Sequence, residues 1–397
     1  MSFKKSSIIV ICCLVTWFNS INALADGISN INSQAVQAEI ISDNSVMSEI
    51  SAKSAILVEV STGTVIAEKN SNEKMSASHF AKLMTLLIAA EKINANELKL
   101  EDQVTVSANA NSKGSPQIWL DIGEVITVDE LLKSITIGNA NDGCTALAEK
   151  IGGTEQDFVQ LMNEKADIIG MHNTYFADCT GISEKTVSTA YDLSLLSAEI
   201  LKYNKLIPYL TTWMDNVRNN GVELVSTNRL IRTYKGITGL KSCASKESGE
   251  CVIATAQRNN MSLCSVILNS SNDNTKFSDA KTLMDFAFAN YEIYEPEIDE
   301  KILENVKVKG GERLECEVKI SNLTNIVIQK GSYSQITCQF EKEEIIEAPA
   351  AENSTVGEII FKNGESEILK GKIVVKDEIR KNSFLFSFKR ILLNLFK

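Results

Sequence analysis

The sequence predicts an antiparallel sheet flanked by helices over residues 51–292, then a small all-β domain over 293–378, then an amphipathic helix over 379–397. Three observations carry this. Strand-like runs stand at both ends of the first segment with helix-like runs between them, the signature of a sheet covered by helices. From about residue 294 the pattern changes to short β-branched runs such as ILENVKVKG, LECEVKISN and EIIFKNGESEILKGKIVV, broken by Gly, Asn and Pro. The chain then ends in KNSFLFSFKRILLNLFK, where apolar and cationic residues separate at helical spacing. At 397 residues there is length for two domains.

Taken in order, residues 1–25 carry Lys4 and Lys5, the apolar run IIVICCLVTWF and the small-residue site Ala23-Leu24-Ala25. That is the layout of a secretory signal, and the apolar run is too short for a membrane span. Export with cleavage after Ala25 is expected. Residues 26–50 are rich in Ser and Asn and read as a flexible lead. Next, AILVEVSTGTVIAEKN alternates about the turn signal Ser61-Thr62-Gly63, which predicts a hairpin. Leu83, Leu86, Leu87 and Ala90 recur at helical spacing and predict one buried helix face. Helices are expected at Val128–Ile137, Asp142–Ile151, Glu155–Ile169 and Phe277–Tyr291, with paired strands at Cys251–Gln257 and Met261–Asn269. In the tail, Phe384, Leu385, Phe388, Ile391, Leu392 and Leu395 share a face, with Lys389, Arg390, Asn394 and Lys397 largely opposite. Such a helix suits a membrane surface and is too short to span a bilayer.

The net charge is −11, and no basic stretch is interleaved with aromatics, so no nucleic acid is expected as a partner. Nine cysteines fall to seven on cleavage, at 144, 179, 243, 251, 264, 316 and 338. None has metal-ligand spacing, and His79 and His172 are the chain's only histidines, so neither a metal site nor a cofactor is expected. Cys243 and Cys251 flank an expected turn at Lys246–Gly249 and can pair, as can Cys316 and Cys338; free buried thiols are the other reading.

A hairpin that delivers the chain to the start of a buried helix places residues 76–82 at the helix's positive end, a natural site for an acyl-transfer nucleophile. The segment NEKMSASHFAKLMT there resembles the x-A-S-x-x-K-x-M-T run of the exported serine D-alanyl-D-alanine carboxypeptidases, the low-molecular-mass penicillin-binding proteins. Aligned without gaps on Lys82-Leu83-Met84-Thr85, the family's nucleophilic serine falls on His79 and its alanine on Ser78. The second motif, S-x-N, matches Asn139-Ala140-Asn141, and the third, K-T-G, matches Lys241-Ser242-Cys243. The resemblance runs from about residue 52 to the end. It implies a transpeptidase/β-lactamase-like fold for the first domain. It also implies catalytic positions at His79, Lys82, Asn139 and Asn141, with Lys241, Ser242 and Cys243 lining the substrate path.

The departures bear on chemistry. An acyl-enzyme needs a hydroxyl aimed at a carbonyl, and an imidazole's ring atoms lie farther from the backbone than a serine oxygen. Asn139 lacks the hydroxyl that relays protons in the family, and Cys243 adds a side chain where the substrate backbone passes. Losing one member of such a unit costs on the order of 10⁴ to 10⁶ in rate. Ser78 lies one turn before Lys82 but about 100° around the helix from residue 79. Three readings stand at this point: a crippled or inactive member that recognises peptidoglycan stem peptides ending in D-alanine and binds β-lactams weakly; an active carboxypeptidase using Ser78; and a non-catalytic cell-wall scaffold. All place the protein outside the cytoplasm, membrane-associated at the cell envelope.

Overall fold

A computed structural model describes residues 43–383. Its centre is a five-stranded antiparallel sheet built from both ends of the first domain: β1 (Ser54–Glu59), β2 (Val65–Lys69), β3 (Ile237–Ser245), β4 (Gly249–Arg258) and β5 (Met261–Ser270), in the order β2-β1-β5-β4-β3. The expected hairpin forms, and Glu59 organises its turn. This buried carboxylate accepts from Ser61 Oγ at 2.8 Å, Thr62 N at 2.8 Å and Thr62 Oγ1 at 2.9 Å, and from Ser262 N of β5 at 3.0 Å. Although the run alternates in sequence, every residue of β1 is buried. The reason is that both faces of the sheet are covered. Leu57, Val252, Ala254, Leu263 and Ile267 share a core with Phe277, Leu283 and Met284 of the helix that closes the domain. The other face meets the helical half of the domain.

That half contains α1 (Ala81–Asn94), α2 (Val128–Thr136), α3 (Asn141–Gly152), α4 (Glu155–Ile168) and α5 (Ala190–Leu201); α6 (Asp273–Asn290) is the closing helix. A single buried face was expected for α1, yet all ten residues from Ala81 to Ala90 are buried, Lys82 and Thr85 included. A helix apolar nearly all round is a central one. Each cap that fixes these helices is local. Thr127 and Glu130 form a reciprocal capping box on α2, and Thr154, Thr189 and Asn272 cap α4, α5 and α6. The start of α3 is held differently: the buried Asp142 carboxylate accepts Ile118 N and Leu120 N at 3.1 Å and Gly143 N at 2.8 Å, tying the preceding loop down.

Residues 43–50, expected within the flexible lead, instead form a turn of 3-10 helix at Asn44–Glu49. Val46, Met47 and Ile50 are buried in the sheet's core, so this segment has apolar surface to hide. From Tyr291 the chain enters a second all-β region. Tyr291–Tyr294 pairs with Ile326–Gln329, and a four-stranded antiparallel sheet runs Val318–Ser321, Ser366–Val375, Thr355–Asn363, Ile336–Lys342. Its core gathers Ile302, Val306, Ile359, Phe361, Ile373 and Val375. Strand pairing continues past residue 378, with Ile379 bridged to Ala350 and Lys381 to Gly311. The expected signal segment, most of the lead and residues 384–397 of the expected amphipathic helix lie outside the described residues. Among the described residues no helix is long and apolar enough to cross a membrane.

Candidate active site

The three sequence motifs converge on one groove. It holds about 330 Å³ and is lined by His79, Lys82, Pro116, Asn139, Thr227, Lys241, Ser242, Cys243 and Lys276 among others. A larger hollow of about 660 Å³, bordered by Val60, Leu201, Ile207 and Gln257, contains none of the expected site residues.

His79 is the middle residue of a 3-10 turn, Ser78–Phe80, that leads into α1. Lys82 follows on the first turn of α1 with its side chain buried. Its ammonium donates to Asn141 Oδ1 at 2.6 Å and to the Thr180 carbonyl at 2.5 Å, both uncharged acceptors. Asn141 opens α3, and its own amide donates to the Gly114 carbonyl at 2.8 Å, which fixes which end faces the lysine. The loop that supplies Thr180 is wound around the Asp178 carboxylate, which accepts Thr180 N and Oγ1 at 2.7 Å and Ser183 N at 2.7 Å. Burial pushes the Asp178 carboxyl up, but these hydrogen bonds outweigh it and hold it below the usual carboxylate range. The same loop presses on the start of α1: Gly181 has φ +77°, and a Cβ there would sit 1.8 Å from the Ser78 carbonyl oxygen. Only glycine meets both conditions.

Ser78 is 4% exposed and is not among the described residues lining the groove. His79 is. Asn139 takes left-handed backbone, φ +57°, which asparagine adopts more readily than other side-chain-bearing residues. Its carbonyl accepts from Lys241 Nζ, and its amide donates to Thr227 Oγ1 at 3.3 Å. Thr227 Oγ1 in turn donates to the Ser242 carbonyl at 3.0 Å. Asn139 thus straps the loop before α3 to edge strand β3 across the groove. Lys241 and Ser242 are buried on β3, while Cys243 is half-buried and directly opposite Cys251 of β4.

The electrostatics follow from two buried ammonium groups in one small space. Burial lowers the Lys82 ammonium. Burial and the nearby Lys82 bring Lys241 down to about 7. His79 is lowered by burial, then by Lys82 and Lys241, which favours its uncharged imidazole. A lysine lowered in this way suits proton transfer or the grip of an anion.

Sequence reasoning missed Lys276, on the first turn of α6. Its buried ammonium reaches Glu250 Oε2 at 2.6 Å, Asp273 Oδ1 at 3.0 Å and the Cys243 carbonyl at 3.2 Å. The helix was expected to begin at Phe277, which left Lys276 outside it. The signal that finds it is Asn272, whose side chain accepts Thr275 N at 3.0 Å and starts the helix earlier. Among the described residues there is no cluster of His, Cys, Asp and Glu suited to a metal ion.

A family model described as D-alanyl-D-alanine carboxypeptidase matches residues 38–272, and one described as penicillin-binding protein 5, C-terminal domain, matches 291–381. The chain is 33% identical over 333 residues to the D-alanyl-D-alanine carboxypeptidase DacF of Bacillus subtilis, covering 83% of this chain and 86% of that one. It is 26% identical over 331 residues to DacC of Escherichia coli, covering 81% and 82%. In fold it resembles penicillin-binding protein 5 of Haemophilus influenzae, with a TM-score of 0.75 at 22% identity over 84% of this chain and 98% of that one. It also resembles penicillin-binding protein D2 of Listeria monocytogenes in its ampicillin-bound form, with a TM-score of 0.55 at 26% identity over 60% and 98%. The chain belongs to the D-alanyl-D-alanine carboxypeptidase family.

Proposed function

We propose that this chain is a crippled or non-catalytic member of its family that recognises peptidoglycan stem peptides ending in D-alanine. One observation carries the reading: the side chain facing the groove at the expected nucleophile position is an imidazole, His79, and carries no hydroxyl, while the lysines around it remain. Lys82 and Lys241 have no carboxylate within the hydrogen-bonding contacts described above, so an anionic ligand terminus has a cation to meet. Loss of chemistry with retention of charge favours binding over turnover. Non-covalent, weak β-lactam binding follows from the same groove.

The test is a titration with a stem pentapeptide ending in D-Ala-D-Ala across pH. Lys241 stands at about 7 in the free protein, and a bound carboxylate raises it. Affinity should therefore be full below pH 7. It should fall about tenfold per pH unit from there up to the lysine's value in the complex. Lys241→Met should flatten this profile. A pH-independent affinity, or no binding at all, would remove the stem-peptide reading and favour a scaffold.

We further infer that the protein acts outside the cytoplasm, exported by residues 1–25 and held at a membrane surface by residues 381–397. The signal-like N-terminus and the cationic, Phe- and Leu-rich tail support this. Truncation after Lys381 should move the protein from the membrane to the soluble fraction; unchanged recovery with membranes would defeat the anchor.

A further inference from the structure

We propose that Cys243 and Cys251 are a redox-modification site, a dithiol in the wall of the groove that closes to a disulfide by exchange with a small disulfide oxidant. The two residues are direct partners in the antiparallel register of β3 and β4. Opposed residues in such a pair have Cα atoms about 4.5 or 5.5 Å apart and side chains on the same face. Both spacings fall within the roughly 4.4–6.8 Å that a disulfide spans, so closure needs rotation of side chains and no movement of strands. In the structure both are free thiols.

The two sulfurs are differently placed, and the difference assigns their roles. Cys243 is half-buried and lines the groove, so a small disulfide can reach it. Cys251 is 1% exposed, donates to the Ser248 carbonyl at 3.3 Å and accepts from Asn269 N at 3.4 Å. A hydrogen bond from Cys243, together with Asn269 N–H and the Lys276 charge, lowers the Cys251 thiol despite its burial, while Cys243 is raised by the same sharing. The sequence of steps balances. Reach rather than acidity assigns the first step to Cys243: its thiol gives its proton to solvent base at alkaline pH, and the thiolate attacks one sulfur of oxidised glutathione, breaking its S–S bond and releasing one glutathione thiolate. Cys251, the sulfur whose proton leaves more easily, then attacks Cys243 Sγ and expels the second. The net change is two protein thiols plus one glutathione disulfide giving one protein disulfide plus two glutathione thiols. The bond closes the β3–β4 hairpin across its turn and holds the Cys243 sulfur against β4, beside Lys241.

The other cysteines lack this arrangement. Cys144 and Cys179 are both fully buried, out of a reagent's reach, and Cys264 is buried without a thiol partner on the facing strand. Cys338 is exposed on a different sheet and serves as an internal control for simple mixed-disulfide formation.

The experiment treats the folded full chain with oxidised glutathione at mildly alkaline pH, quenches with acid and maps tryptic peptides without reduction. Cleavage after Lys241, Lys246 and Arg258 separates SCASK from ESGECVIATAQR. The expected result is these two peptides joined at a mass about 2 Da below their sum, reversed by a dithiol reductant. Cys251→Ser, or Cys251→Ala if the hydroxyl disturbs the core, should instead trap glutathione on Cys243. Amide exchange between residues 242 and 252 should slow in the oxidised wild type. A wild-type chain that keeps glutathione on Cys243, or one in which Cys338 reacts and Cys243 does not, would overturn the proposal.

Discussion

Exposure to a labelled penicillin should leave this chain unacylated, with intact mass unchanged under conditions that saturate an active family member. Acylation needs a hydroxyl within reach of Lys82 and facing the groove. The residue facing the groove is His79, and the nearest hydroxyl in sequence, Ser78, is buried and does not line it. The first residue of a tight turn and the second point about 100–120° apart, so a hydroxyl at 78 is aimed elsewhere when 79 is aimed inward. Moving Ser78 into place means rewinding the turn, and the Gly181 backbone is packed against the Ser78 carbonyl. Under the proposed function the proton route changes as well. On the motif alignment the family's relay hydroxyl falls on Asn139, whose carbonyl is taken by Lys241. Together these changes put the expected acylation rate at least about 10⁴-fold below that of a complete site. A stoichiometric adduct mapping to Ser78 would overturn this and make the chain an enzyme with a displaced nucleophile.

Local signals made much of this architecture legible from sequence. The Ser61-Thr62-Gly63 turn placed the hairpin, and the helix-like runs placed α2–α4 within one or two residues of where they form. The misreadings are tertiary in origin. The alternation around the hairpin does not carry into burial: α6 and the 3-10 turn at Asn44–Glu49 share a core against one face of the sheet, and the helical half covers the other. Helix α1 showed four residues at helical spacing, whereas its small residues Ala81 and Ala89 are buried too, because neighbours approach closely on every side. Val46, Met47 and Ile50 looked like isolated apolar residues in a polar lead until the sheet edge gave them a surface. The positions of Lys82, Asn141 and Lys241 followed from motif spacing. Their environment did not: the Thr180 carbonyl on Lys82, the Thr227 link to Asn139 and the Lys276 cluster are all long-range contacts.

Repairing the site should therefore take more than one substitution. With His79→Ser alone, the new hydroxyl meets a Lys82 already bonded to Asn141 and Thr180. It also finds no relay at 139 and a Cys243 side chain in the substrate path. Acylation by penicillin in this variant should be detectable but about 10²–10⁴-fold slower than in the triple variant, the range that general acid–base assistance supplies. Adding Asn139→Ser releases Lys241 from its strap and restores a hydroxyl between the two lysines, and Cys243→Gly clears the path along β3. The gain in the triple variant should exceed the product of the separate gains, as for residues that act as one unit. Because residue 139 sits at φ +57°, serine there also carries a backbone cost of up to about 1–2 kcal/mol, so thermal stability is measured beside the rate. Single-turnover acylation in the single, double and triple variants decides the matter. Full activity from His79→Ser alone would mean that the strap and the thiol are neutral and that the site decayed at one position only. A folded but inert triple variant would mean that the groove has been remodelled beyond its motifs, which favours a scaffold over a stem-peptide binder.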